Sequence, residues 1–142
     1  MRELWFRGKD SDDVWHRGFY CVFNDKEHRI YTGYAETDCG DYYPDYYTII
    51  PETVGQHTGL IDVNGVKIYE NDVISIPYRD MSGFTEYQEA LVFWDSERLA
   101  WCVRFMDNEV LYLNDVVDPY NAIDIEVVDN IIDNEELAKA WL

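Results

Sequence analysis

Positive charge is what this chain has least of. Eleven Lys and Arg stand against 29 Asp and Glu, for a net charge of −18, and a field of that sign opposes approach to phosphate backbones and anionic lipid. General coating of nucleic acid is thereby discounted, and neither direct nucleic-acid binding nor membrane attachment is expected. Apolar runs are short as well: no run of eighteen apolar residues occurs, so no membrane-spanning helix is expected. The amino terminus, charged at Arg2, Glu3, Arg7 and Lys9, has no apolar stretch of signal-peptide length. Cys21, Cys39 and Cys102 are odd in number, widely spaced and free of any C-x-x-C, which argues against a disulfide framework or structural zinc and fits reduced thiols in a cytoplasm.

The residues of site chemistry are equally thin. Ser11, Ser75, Ser82 and Ser96 include no G-x-S-x-G, and the cysteines fall within apolar strand patterns where a buried, inert thiol is expected. His16, His28 and His57 form no i, i+4 pair and no H-E-x-x-H. Asp62-x-Asn64-Gly65 lacks the remaining oxygen ligands of a calcium loop, so it reads as a hairpin turn. No glycine-rich loop opens a helix to cradle a phosphate. With 29 acids, two carboxylates near each other would carry no information. No catalytic residue, metal or cofactor is expected, and the chain reads as a binding protein, with an enzyme bearing an unrecognised site as the last alternative.

What is abundant is strand-forming material. The 142 residues are 47% hydrophobic and 16% aromatic, with five Trp and twelve Tyr, enough to fold alone despite the charge. Leu99, Trp101, Val103 and Phe105 alternate with Ala100, Cys102 and Arg104, the period of two expected where one face packs inward. The run Ala90-Leu91-Val92-Phe93-Trp94, joined to it by the polar Asp95-Ser96-Glu97-Arg98, completes an antiparallel hairpin. Further strands are expected at residues 19–23, 46–50, 73–76 and 123–128. Asn64-Gly65, between Ile61-Asp62-Val63 and Val66-Lys67-Ile68, suits a type I′ turn with positive φ at both central positions.

Helix is scarce. Pro51 opens one turn closed by Gly55, and Asp133 or Asn134 caps Glu135 to Trp141, with Leu137 and Trp141 docking it. Many short strands, frequent turns and one terminal helix indicate a barrel or sandwich. Charge is uneven: residues 1–59 carry a net −5 and residues 60–142 a net −13.

The segment from Ile50-Pro51-Glu52-Thr53-Val54-Gly55-Gln56-His57-Thr58-Gly59 through Ile68-Tyr69-Glu70-Asn71-Asp72-Val73-Ile74 resembles the signature of the YopX-like family, small proteins of phages and prophages. Phe6-Arg7-Gly8-Lys9, Trp15-His16-Arg17-Gly18 and Ile125 to Ile131 extend the resemblance toward both ends. Asn71 stands where the family has the glycine of an E-G-D turn, and asparagine tolerates positive φ next best, so that turn is expected to survive. His57, Asp129 and Glu135 replace a usual aromatic, glycine and proline. The resemblance implies a mainly β protein, with an SH3-like β-barrel and C-terminal helix over residues 59–142 and a smaller β-rich part over residues 1–58. It implies no catalytic residues, because its shared positions are turn formers such as Gly55, Gly59 and Gly65 and core residues such as Ile68, Tyr69, Val73 and Ile74.

Two features point to partners. Tyr42, Tyr43, Tyr46 and Tyr47, set around Pro44 with Asp41 and Asp45, offer broad, stiff, amphipathic contact area; the plainer explanation is a strand entry with tyrosines alternating between core and solvent. Asp115, Asp118, Asp124 and Glu126 concentrate carboxylates near the second part's end, where a surface could attract a basic host or phage protein, standing in for nucleic acid, or simply aid solubility. The expected function is an acidic protein-interaction module. Self-assembly through exposed strand edges and the tyrosine segment is the alternative.

Overall fold

The computed structural model describes residues 4–79, 85–116 and 124–142. The chain divides into two compact units, Met1–His57 and Thr58–Leu142. Unit 1 is built from β1 (Phe6–Lys9), β2 (Trp15–Phe23), β3 (Glu27–Glu36), β4 (Tyr42–Thr48) and the first residues of β5 (Gly55–Ile61). They form an antiparallel sheet in the order β4-β3-β2-β1-β5, so β4 is an edge strand. A single 3-10 turn, Pro51–Thr53, precedes β5 with proline at its start.

The turns of this unit are made by short polar side chains. Asp10 Oδ1 accepts the backbone N–H groups of Asp12 and Val14 between β1 and β2, the local bonding for which Asp is favoured in turns. Asn24 and Asp25 both take positive φ between β2 and β3, at 51° and 59°. That pair of left-handed residues is the arrangement expected at Asn64-Gly65, found instead at a different hairpin. Inside, the sheet packs on little apolar material: Ile30 and Ile49 are its buried aliphatics. Gly18 lies so close to β3 that an added Cβ would run into the Tyr31 carbonyl oxygen.

Unit 2 carries a second antiparallel sheet, ordered β10-β9-β8-β7-β11, from β7 (Asp72–Arg79), β8 (Thr85–Asp95), β9 (Ala100–Phe105), β10 (Val110–Tyr112) and β11 (Glu126–Asn130). The far half of β5 pairs there with β6 (Lys67–Tyr69). A one-turn helix α1 (Leu113–Val116) follows β10, and α2 (Glu135–Trp141) ends the chain. Ile74, Ile76, Ala90, Val92, Val103 and Phe105 pack with Ile68, Leu113 and Ile125 in the main core. On the opposite side of the strands Val73 and Leu91 meet Ile131 and Trp141, with Leu137 against them. The continuous apolar run at 90–93 is therefore explained: β8 is central and is covered on both faces. Each fully buried aliphatic contributes on the order of 2 kcal/mol by removal from water, so this sheet holds most of the stabilising burial.

Local expectations meet four outcomes here. The α2 cap is Asn134, whose side chain accepts the Leu137 N–H at 3.1 Å. Asn71 has φ 74°, the left-handed value foreseen for the family's glycine position. Leu99 is corrected: it sits outside β9 at φ 52° and is 74% exposed, because Asp95 Oδ1 gathers the N–H groups of Glu97 and Arg98 and the turn extends one residue further. The Asn64-Gly65 bend is corrected too. Asp62 organises it, accepting the Asn64 and Val66 N–H groups at 2.8 Å each, and Gly65 supplies the left-handed φ of 77°.

Among the described residues no sheet closes on itself, which corrects the expected SH3-like barrel to two open antiparallel sheets and a short helix. The physical reason lies at β11, which is interrupted by a bulge between Val127 and Asp129. Its approach to the Asp62 bend is bridged by Val63 N–H to the Ile125 carbonyl and by Val127 N–H to Asp62 Oδ2, two isolated bonds in place of a strand ladder.

Candidate interaction surface

The four tyrosines lie together on β4, and all four are exposed. Register assigns them to opposite faces: Tyr42, Pro44 and Tyr46 on one, Tyr43, Asp45 and Tyr47 on the other. The expectation that half of them turn into a core is thus not met, since β4 is an edge strand with little packed against either face.

Two are anchored and two project. Tyr46 leans on Tyr31 with ring centroids 5.4 Å apart, and the Arg29 guanidinium lies 4.0 Å from its centroid and 3.9 Å from that of Phe23. Arg29 donates to Glu27 Oε2 at 2.8 Å and to the Tyr31 hydroxyl at 3.2 Å. Glu27 also accepts from the Thr48 hydroxyl at 2.7 Å. The Arg29 bond holds the Glu27 carboxyl below its usual range, and the same bond raises the guanidinium further. Tyr47 stacks on His16 at 3.6 Å and 14°, and His16 Nε2 bonds Asp10 Oδ2 at 2.7 Å. That bond leads the causes holding Asp10 below its ordinary value. Beside them the Tyr20 hydroxyl meets His28 Nδ1, and burial pushes the Tyr20 phenol up. Tyr42 and Tyr43, at 72% and 48% exposure, extend beyond these supports. Sequence reasoning missed Arg29 and His16; the signal was the Glu27-x-Arg29 spacing, which puts both side chains on one face of a strand.

A groove accompanies the ribbon. Trp5, Phe19, Tyr31, Gly33, Tyr34 and Pro44 line a cavity of about 360 Å³. Its shape depends on a bulge at Thr32. Tyr31 pairs with Tyr46 and Gly33 with Asp45, so Thr32 is the extra residue in β3. Tyr31 and Tyr34, three apart and destined for opposite faces in a regular strand, are both opposite residues of one β4 face.

The predicted carboxylates belong to unit 2. Asp115 is exposed in α1, Asp124 is exposed just before β11, and Glu126 is exposed at the start of β11, accepting Asn64 Nδ2 at 3.3 Å. Asp118 lies outside the described residues. The cysteines divide: Cys21 and Cys39 are exposed, correcting the expectation of buried thiols, while Cys102 is buried and its thiol is pushed up by burial. Cys21 escapes burial because its strand β2 has solvent on the face it shares with Phe19 and Phe23. Among the described residues no group of three or more His, Cys, Asp or Glu is placed to hold a metal ion, and no helix is long and apolar enough to cross a membrane.

By architecture the molecule is a mainly β protein of two antiparallel sheets with a short carboxyl-terminal helix. The YopX protein family model matches residues 5–139, nearly the whole chain, and the chain belongs to that family. Comparison with curated proteins gives no match.

Proposed function

We propose that the protein acts by binding, and that its β3–β4 ribbon engages a basic host or phage protein in the bacterial cytoplasm. The observation that carries this reading is the composition of an exposed edge. From residue 30 to residue 66 there is no Lys or Arg, and within that span Glu36, Asp38, Asp41 and Asp45 surround tyrosines that are 40% to 72% exposed. Stiff aromatic side chains that lose little entropy on contact supply affinity. The acidic net charge of the chain, −18, steers a cationic partner at low salt, and Asp115, Asp124 and Glu126 contribute to it from unit 2.

Self-assembly through the β4 edge is the second reading, favoured by the strand's terminal place in its sheet. Pro44 in mid-strand removes one backbone donor from that edge and weakens it as a template for pairing, which favours side-chain recognition of a different protein. The test is capture from bacterial lysate at low and high salt, with wild-type protein and a variant carrying Ser at positions 42, 43, 46 and 47. A partner held by wild type, released by salt and missed by the variant is expected. Finding no salt-sensitive partner, or finding by light scattering that the ribbon joins identical chains, overturns the reading.

A further inference from the structure

The groove beside the ribbon has a more specific chemistry than acidity, and from it we infer that unit 1 recognises a proline-containing, left-handed extended peptide carrying a basic residue at one end. This deepens the binding reading above and rests on it. The groove is aromatic on its walls, with Trp5 meeting Phe19 edge to face at 6.0 Å and Tyr31 and Tyr34 on the same side because of the Thr32 bulge. Phe19 and Tyr34 are 64% and 79% exposed, respectively, large apolar surfaces that a monomeric protein rarely leaves bare together. Gly33 lines the groove with its backbone, at a position paired with Asp45. A cavity of about 360 Å³ lies near the small end of ligand clefts, which run roughly 300–1,000 Å³. It suits a few residues of extended chain and not a folded domain. Proline-rich segments dock in such aromatic-lined grooves because their helix is preformed and little entropy is lost on binding.

Charge decides between this occupant and a nucleic acid, the other ligand that stacks on exposed rings. Of the cations on this face of the sheet, Arg29 is bonded to Glu27 and Lys9 is paired with Asp13 at 2.7 Å while lying over the Trp15 ring; Arg17, two residues before Phe19 and opposite Arg7, is exposed. At the groove's other end Glu36 follows Tyr34 by two residues and pairs with Tyr42, so it shares the face and is exposed. A carboxylate at the end of an aromatic trough complements an arginine beside the prolines and repels a phosphate.

The experiment uses the full chain, calorimetry and amide chemical shifts. Its probes are an oligoproline decamer with two arginines at one end, the same peptide with alanines for prolines, and a ten-residue oligothymidine. The arginine-oligoproline is expected to bind saturably and to shift the amides of Phe19, Thr32 and Gly33 and the Trp5 indole. The alanine peptide is expected to bind at least tenfold more weakly. Phe19→Ser and Tyr34→Ser, both at exposed positions, each reduce binding at least tenfold with the spectrum otherwise retained. Glu36→Lys weakens the arginine-bearing peptide at least threefold at low salt and leaves an uncharged oligoproline unchanged. No saturable binding, equal binding of the two peptides, or oligothymidine shifting these residues in their place overturns the inference. A salt-sensitive lysate partner still held by the Phe19→Ser, Tyr34→Ser double variant overturns the groove assignment alone and leaves the ribbon reading standing.

Discussion

The two units solve the same problem with different material. Among the described residues of unit 2, two packed clusters bury Ile, Val, Leu, Phe and Trp on both sides of a central strand. Unit 1 has strands of comparable length, yet its buried aliphatics are Ile30 and Ile49, and its rings mostly face outward or stack on cations and imidazoles. Burial of apolar surface stabilises by area, whereas exposed aromatic and charged pairs contribute only about 0.5–1.5 kcal/mol apiece. The comparison teaches that the part presenting the proposed recognition surface has little core beneath it, as expected where apolar side chains are kept available for a partner.

The contrast breaks most visibly in the core of unit 2. Ile74→Ala is expected to lower stability by about 3–4 kcal/mol through lost transfer energy and a residual cavity, read as a fall in the urea midpoint at unchanged slope. Gly18→Ala is expected to remove about 2–3 kcal/mol by forcing β2 away from β3. Native-state amide exchange should accelerate in β2 and β3 while β7 to β9 keep their protection, and equal acceleration in both sheets would erase the distinction. Asn134→Ala, which removes the α2 cap, is expected to cost about 1 kcal/mol, measured by thermal unfolding.

Acid sharpens the contrast further. Asp10 and Glu27 in unit 1 titrate below their ordinary 3.8 and 4.5, through the hydrogen bonds of His16 and Arg29. Asp95 in unit 2 does so through the Arg98 backbone N–H. The folded state favours these ionised forms, so their contribution is complete above the ordinary values and lost as pH falls through the lowered ones. Unit 1, with less core in reserve, is expected to lose amide protection first as pH drops below about 4, and Asp10→Asn should flatten part of that fall. The smallest effect belongs to the ribbon: Tyr42→Ser is expected to move stability by less than about 0.5 kcal/mol, as for exposed side chains generally, even where it weakens partner capture.

How far these features were visible in the chain depended on the packing around them. The β8–β9 hairpin, the one-turn helix at Pro51, the α2 cap and the left-handed Asn71 were all readable, because local chemistry and burial agree there. Leu99 was misplaced because alternation gives the period of a strand and not its end. The closed barrel was not found, since strand pattern alone says nothing about whether the last edge meets the first. Tyr42, Tyr43, Tyr46 and Tyr47 were identifiable as a cluster, but their exposure on both faces follows from β4 lying at an edge, a fact of topology. The groove was invisible, because the bulge at Thr32 is created by pairing with β4 and has no signature in β3 by itself.

That inserted threonine also fixes which side chains the hairpin tip shows. Deleting Thr32 would leave Tyr34 two residues after Tyr31, so strict alternation would keep Tyr31, Tyr34 and Glu36 on one face of a flatter strand. A strand that kept Thr32 but paired without the bulge would instead turn Tyr34 and Glu36 away and bring Gly33 and Ala35 in their place. The phase of the whole tip therefore rests on the bulge absorbing this one residue, and a relative one residue shorter here should present the same face without it.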